Sequence, residues 1–257
     1  MRAVVFGANG MLGKALVRMA KDQGWHVTAY SHEEWDITSP WKAPPADGYV
    51  WDVAFNCAAI IPAREGSQRN MAAVNGIGPH VLAGSLNGRV GLLVQISTDG
   101  VFSGDRLHGT YCCQDIPDPI TLYDRTKLTG ELTDCNFAAT IRTSFVGWEH
   151  GLLAWLVSQK GIVPGFVNAW WSGSTVDAVA RAMVLNVRTG LEPGLYHLAA
   201  EVPIRRLDML NIIRSVMDLS VEIEPTEEPH INHALEPTLW LEPFEPAFCD
   251  MAKEWCP

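Results

Sequence analysis

The chain has 257 residues, 47% of them hydrophobic, enough to bury one large α/β core with a smaller appended part. A formal net charge of -10 argues against a partner in nucleic acid or an anionic membrane, and no apolar run approaches the length that spans a bilayer. Six cysteines (57, 112, 113, 135, 249 and 256) form neither a C-x-x-C motif nor a paired framework, and nothing resembles a signal peptide, so reduced thiols and a cytoplasmic location are expected.

In chain order, Ala3-Val4-Val5-Phe6 is too short for a helix and suits a fully buried parallel strand. It runs into Gly7, Gly10 and Gly13 in a G-x-x-G-x-x-G spacing, then into a helix whose Leu12, Leu16, Met19 and Ala20 share one face. Strand, glycine turn and helix in that order hold a dinucleotide phosphate. Gly7 allows the tight turn, Gly10 lets the backbone approach a pyrophosphate, and Gly13 lets helix and strand pack closely. Free N–H groups at the helix start receive the anion. Residues 26–30 read as the second strand, ending in Ser31-His32 with Glu33 and Glu34 behind. An acid at this strand end would bond the ribose and favour NAD(H). Ser31 leaves room for a 2′-phosphate that His32 can contact, so NADP(H) is favoured; Glu33, near the expected spacing, keeps NAD(H) as the alternative. Residues 35–38, with Asp36 and Ile37, form a strand-end motif near the adenine, and 40–48 is a Pro-rich surface loop.

A buried strand over 52–56 ends in Cys57-Ala58-Ala59, small residues that let a cofactor lie against the sheet. Residues 67–86 read as a helix with Met71, Val74, Val81 and Leu82 inward and a kink at Pro79. The strand at 90–96 delivers Ser97-Thr98-Asp99. A loop (107–121), a helix (123–137) and a strand (138–142) follow. Strands alternating with helices imply an α/β fold with a Rossmann-type, doubly wound parallel sheet. Beyond 143 the pattern is less regular: helix 152–159, strand 162–167, helix 176–187, strand 194–198, helix 207–217, strand 221–223, and a Pro- and Glu-rich wrap ending in a short helix at 250–253. The expected organisation is a dinucleotide-binding domain over 1–145, with 173–188 packing back onto it. Residues 146–172 and 189–257 make a small C-terminal substrate lobe.

Tyr123 and Lys127 stand four apart on the 123–137 helix, so phenol and ammonium share a face. A nearby lysine cation lowers a tyrosine's pKa, and such a phenol can exchange a proton while hydride moves at carbon. Thr98, at the neighbouring strand end, would hold the substrate oxygen. Asp99 assists that proton network or caps its turn. His230 and His233 lack the cysteine or carboxylate spacing that completes a metal site, so no metal is expected.

With these motifs on the page, the first 145 residues or so resemble the extended short-chain dehydrogenase/reductases, in the subgroup of dTDP-4-dehydrorhamnose reductase and its sugar-nucleotide-binding relatives. The resemblance rests on residues 7–13, 36–38, 56–59, 96–102, Tyr123 with Lys127, and 141–144. It implies Thr98, Tyr123 and Lys127 as the catalytic trio. It also implies a cofactor lined by Gly7, Asn9, Gly10, Met11, Leu12, Ser31, His32, Asp36, Ile37, Cys57, Ala58 and Ala59, besides Tyr123 and Lys127, with Asp99 and Phe145 toward the substrate. The implied reaction is NAD(P)H-dependent reduction of a 4-keto sugar nucleotide, of the kind that serves cell-surface polysaccharide synthesis. A homodimer through the segments 67–86 and 123–137 is expected. The alternatives are a sugar-nucleotide 4-epimerase retaining NAD and a non-catalytic NADP-binding regulatory subunit. Departures from the family pattern are Gly100 in place of Tyr or Glu, Asp124 in place of Gly, His32 in place of Arg, Phe145 in place of Trp, and Cys112-Cys113 near an acidic stretch.

Overall fold

The computed structural model describes residues 1–39, 51–62 and 68–253. The loop expected at 40–48, Ser67 and Cys256 lie outside the described residues. The first half runs β1 (Arg2–Phe6), α1 (Met11–Asp22), β2 (His26–Tyr30), β3 (Trp51–Asn56), α2 (Gln68–Met71), a π-helical stretch (Ala72–Ile77), α3 (Gly78–Leu86), β4 (Val90–Thr98), α4 (Leu122–Thr129) and β5 (Ala138–Thr143). Short elements follow: β6 (Phe145–Val146), α5 (Leu152–Ser158), β7 (Ile162–Phe166), β8 (Ala169–Trp171) and β9 (Ser174–Thr175). The chain closes with α6 (Val176–Arg188), β10 (Gly194–Ala199), β11 (Ile204–Arg205), α7 (Arg206–Val216), β12 (Glu222–Thr226), β13 (Ile231–Asn232), β14 (Leu239–Trp240) and α8 (Phe244–Lys253).

Seven strands form the central sheet in the order β14-β10-β5-β4-β3-β1-β2, and every pairing in it is parallel. Because strand side chains alternate in direction, Ala3 and Val5 pack with Leu16 of α1 and Val179 of α6 on one face. Val4 and Phe6 pack with Leu82 and Leu86 of α3 on the other. Both faces are covered, and β1, β3 and β5 are nearly all buried, as a doubly wound sheet requires.

Three sequence expectations need correction. The distortion expected at Pro79 lies one turn earlier, as the π-helical stretch. Pro79 cannot donate to the Asn75 carbonyl, and Gly130 packs on that carbonyl, where a Cβ would collide with it. The helix expected over 123–137 ends at Thr129, because Gly130 closes it and Glu131 turns into the core. The span 189–257 is not all lobe: β10 pairs with β5 in the main sheet and β14 extends the sheet beyond β10. The remaining lobe has its own core, built on Leu153 and Leu156 of α5, Met209 and Ile213 of α7, and Phe244 and Phe248 of α8.

Beneath the strand ends lies a buried ion pair. Arg142 donates from Nε and Nη2 to the two carboxylate oxygens of Glu131, both at 2.8 Å, and Ser97 Oγ donates to Glu131 at 2.7 Å. Such a bidentate pair fixes the ends of β4 and β5 relative to the turn after α4.

Candidate active site

At the carboxyl ends of β1, β3 and β4 two cavities adjoin, of about 710 and 300 Å³. Asn9, Gly10, Cys57 and Ala59 line both. The larger also takes Gly7, Ser31, His32, Asp36 and Ala58; the smaller takes Met11, Leu12, Thr98, Tyr123, Lys127 and Phe145. The residues expected for the cofactor are thus brought together along one crevice, with one exception, and one residue expected toward the substrate also lies outside it. Ile37, 4% exposed, points into the core, and the space beside it is what demands a glycine at Gly78. Asp99, 8% exposed, is absent from the cavity wall. It follows Thr98 in a tight turn and accepts a hydrogen bond from the Thr98 hydroxyl at 3.1 Å, so it backs the site instead of facing a substrate.

The crevice suits a dinucleotide. Gly7 adopts φ +75°, and a Cβ there would lie 2.6 Å from the Ala58 amide nitrogen, so β1 and β3 approach as closely as a glycine allows. A Cβ on Gly13 would lie 2.8 Å from Ala8 Cα, which holds α1 tightly to the turn. The first turn of α1 has no side-chain cap and no acidic residue, and its N-cap is Gly10. Its amides are therefore available to an anion. At the far end, Glu34 folds back to accept from the Ser31 amide at 2.8 Å, which holds its carboxyl below the usual range. Ser31 and His32 are left lining the cavity.

Tyr123 and Lys127 sit on α4, whose N-cap Thr121 accepts from the Asp124 amide. Lys127 is 4% exposed and its Nζ donates to the Ile96 carbonyl at 2.6 Å. Burial lowers its ammonium to about 8. Tyr123 departs from the sequence expectation. Burial, then the carboxylates of Asp99 and Asp124, raise its phenol above the ordinary value, and no lowering by Lys127 offsets them. The phenol is held in its protonated form, the form that gives a proton. Thr98 presents its hydroxyl beside them, accepting from the Gly100 amide at 3.1 Å.

Several residues of the site carry no sequence signal strong enough to single them out. Asn75, fully buried in the π-helical stretch, accepts from the Ile60 amide at 2.8 Å and donates to the Ile60 carbonyl at 2.9 Å. It also donates to Thr126 Oγ1 at 3.3 Å, tying the segment after β3 to α4. A buried asparagine inside a helical pattern is the available clue. Glu149 and His150 line the smaller cavity, and Glu149 accepts from Lys14 Nζ at 2.6 Å. Next along the chain, Gly151 and Leu152 begin a separate cavity of about 470 Å³ in the lobe, walled by Trp155, Phe166, Leu210 and Arg206. Among the described residues no group of His, Cys, Asp and Glu could hold a metal ion, and no helix is long and apolar enough to cross a membrane.

Comparison with known proteins agrees with this arrangement. A sequence profile described as "RmlD substrate binding domain" matches residues 1–238. A dTDP-4-dehydrorhamnose reductase of Mycobacterium tuberculosis (strain ATCC 25618 / H37Rv) is 38% identical over 222 residues, covering 80% of this chain and 72% of that protein. The protein of the same name from Mycolicibacterium smegmatis is 31% identical, covering 77% of this chain and 64% of its own length. The crystal structure of dTDP-4-dehydrorhamnose reductase from Bacillus anthracis in complex with NADP superposes with a TM-score of 0.85 at 22% identity, covering 99% of both chains.

Proposed function

The chain belongs to the RmlD substrate-binding family, and on that premise we propose that it is an NADPH-dependent reductase of a 4-keto sugar nucleotide. The observation that carries the reading is the convergence of Thr98, Tyr123 and Lys127 on the same cavity as the uncapped start of α1. In this reading Gly7, Gly10 and the α1 amides hold the pyrophosphate, Asp36 and the segment 57–59 hold the adenosine and ribose portions, and Ser31 with His32 takes a 2′-phosphate; NAD(H) is the second choice of cofactor. The nicotinamide, when bound, supplies hydride. The chain's own part is proton and position: Thr98 holds the substrate oxygen, Tyr123 gives it a proton, and Lys127 braces the cofactor's ribose side while staying anchored to Ile96.

A sugar nucleotide has two halves, and the lobe offers room for the second. The 470 Å³ cavity begins at Gly151, next in the chain after Glu149 and His150 of the catalytic one, has Trp155 and Phe166 in its lining, and holds Arg206 as a cation for phosphate. The reductase reading is favoured over an epimerase or a regulatory subunit by the reductase relatives. We further propose a homodimer through the π-helical stretch and α4, which lie side by side and expose Ile77 and Leu122.

The test is Tyr123→Phe. NADPH binding should survive within a factor of a few, while turnover on 4-keto sugar nucleotides should fall by about 10²–10⁴, the usual worth of general acid catalysis. Undiminished turnover refutes the mechanism. A parent protein that binds NADPH but turns over nothing in a panel of such substrates refutes the activity.

A further inference from the structure

Among the described residues that wall the smaller cavity, Glu149 is the one carboxylate. The start of α1, proposed above to hold a pyrophosphate, lines the same cavity through Gly10, Met11 and Leu12. A bare negative charge there would oppose an anionic cofactor. The charge is not bare. Lys14, one turn into α1, donates from Nζ to Glu149 Oε1 at 2.6 Å. The two side chains are 55% and 46% exposed, and an ion pair so open to water contributes little to stability. Its effect falls on the cavity wall instead. Lys14 pins Glu149 by one oxygen and neutralises it toward phosphate. An ionised carboxylate only accepts hydrogen bonds, so Glu149 suits an uncharged, hydroxyl-bearing part of a ligand.

We propose that Glu149 binds a vicinal diol in the catalytic cavity, offered by the keto sugar or by the nicotinamide ribose, and that Lys14 is a positioning residue acting through it. The inference rests on the reductase reading and deepens it. Thr98, Tyr123 and Lys127 stand in the same wall, so the part of a ligand that meets Glu149 belongs to the reacting end. The uncharged groups with several hydroxyls at that end are the two sugars. An acidic residue holds an adenosine ribose by the same chemistry in dinucleotide sites. Lys127 does not compete for the carboxylate, because its Nζ is committed to the Ile96 carbonyl.

The experiment titrates NADPH by fluorescence and measures KM and kcat on 4-keto sugar nucleotides. Glu149→Ala should weaken one of the two ligands about tenfold, as the loss of one charge-assisted hydrogen bond does, with kcat within a few-fold of the parent. A raised sugar-nucleotide KM with NADPH affinity intact assigns the diol to the substrate; a raised NADPH Kd assigns it to the ribose. Lys14→Met should weaken the same ligand, Lys14→Arg should restore it, and Lys14→Met should add nothing in the Glu149→Ala background. The melting temperature should hardly move in any variant, which separates this role from a structural one. Unchanged NADPH affinity and KM in Glu149→Ala would overturn the proposal, as would a Lys14→Met effect that persists without Glu149. A parent that turns over no sugar nucleotide refutes the reductase reading, and the proposal then stands or falls on the NADPH titration alone.

Discussion

His197 shows how a single side chain writes the molecule's pH response. It is fully buried on β10, and its Nε2 lies 3.4 Å from Arg142 Nη1. Burial first, and the Arg142 guanidinium second, push the imidazole down to about 4. The unfolded chain takes up its proton nearer 6.5. Stability linked to this group is therefore fully present above pH 6.5 and declines as pH falls from there toward 4, by up to about 1.4 kcal/mol per unit. Urea unfolding at pH 7.5 and pH 5 should show a smaller acid loss in His197→Gln than in the parent, by about 1–2 kcal/mol. Equal losses would contradict this account. The histidine was visible in the sequence only as part of a strand; nothing local announces that Arg142 lies opposite it. The same holds for Asp99, which the family resemblance set toward the substrate. The tight turn carries its carboxylate behind the cavity wall instead.

Elements whose signal is local were readable from residue pattern alone. The strand at Ala3–Phe6, the glycine turn and the stripe on α1 needed only neighbours within a dozen residues, and the structure reproduces them. Elements whose ends depend on distant partners were not. The overlong reading of α4 failed because Leu128 and Leu132 continue a helical spacing, whereas the chain breaks at Gly130 to deliver Glu131 to Arg142. The π-helical stretch was hidden for a similar reason, since its cause is shared between Pro79 and the closure of α4. The junction of β1 and α1 gives a prediction at this scale. In Gly13→Ala the new methyl meets backbone atoms that cannot swing aside, so the helix must lift. The variant should lose about 1–3 kcal/mol of stability, the usual cost of overpacking. NADPH affinity should fall at least tenfold in a fluorescence titration, because the displaced amides are those proposed to hold the pyrophosphate. A variant that binds NADPH as the parent does would remove the first turn of α1 from the cofactor site.

At the scale of the whole molecule, the proposed dimer gives a direct measurement. Light scattering should return about twice the 28.3 kDa chain mass, and Ile77→Glu with Leu122→Glu should return a monomer that still binds NADPH. A parent protein of single-chain mass would remove the interface. The sheet order explains why the division of the chain after residue 145 read too simply. From β5 the backbone enters the lobe, returns as α6 and β10, leaves through α7, returns to the edge as β14 and ends on the lobe as α8. A sequence shows composition along a line and not how often that line crosses between bodies. With so many crossings, the lobe is stitched to the sheet and cannot be lifted away as a tail. Anyone wishing to graft a new sugar preference onto this scaffold must exchange several interleaved pieces at once, and a chimera joined at one breakpoint would inherit half a seam.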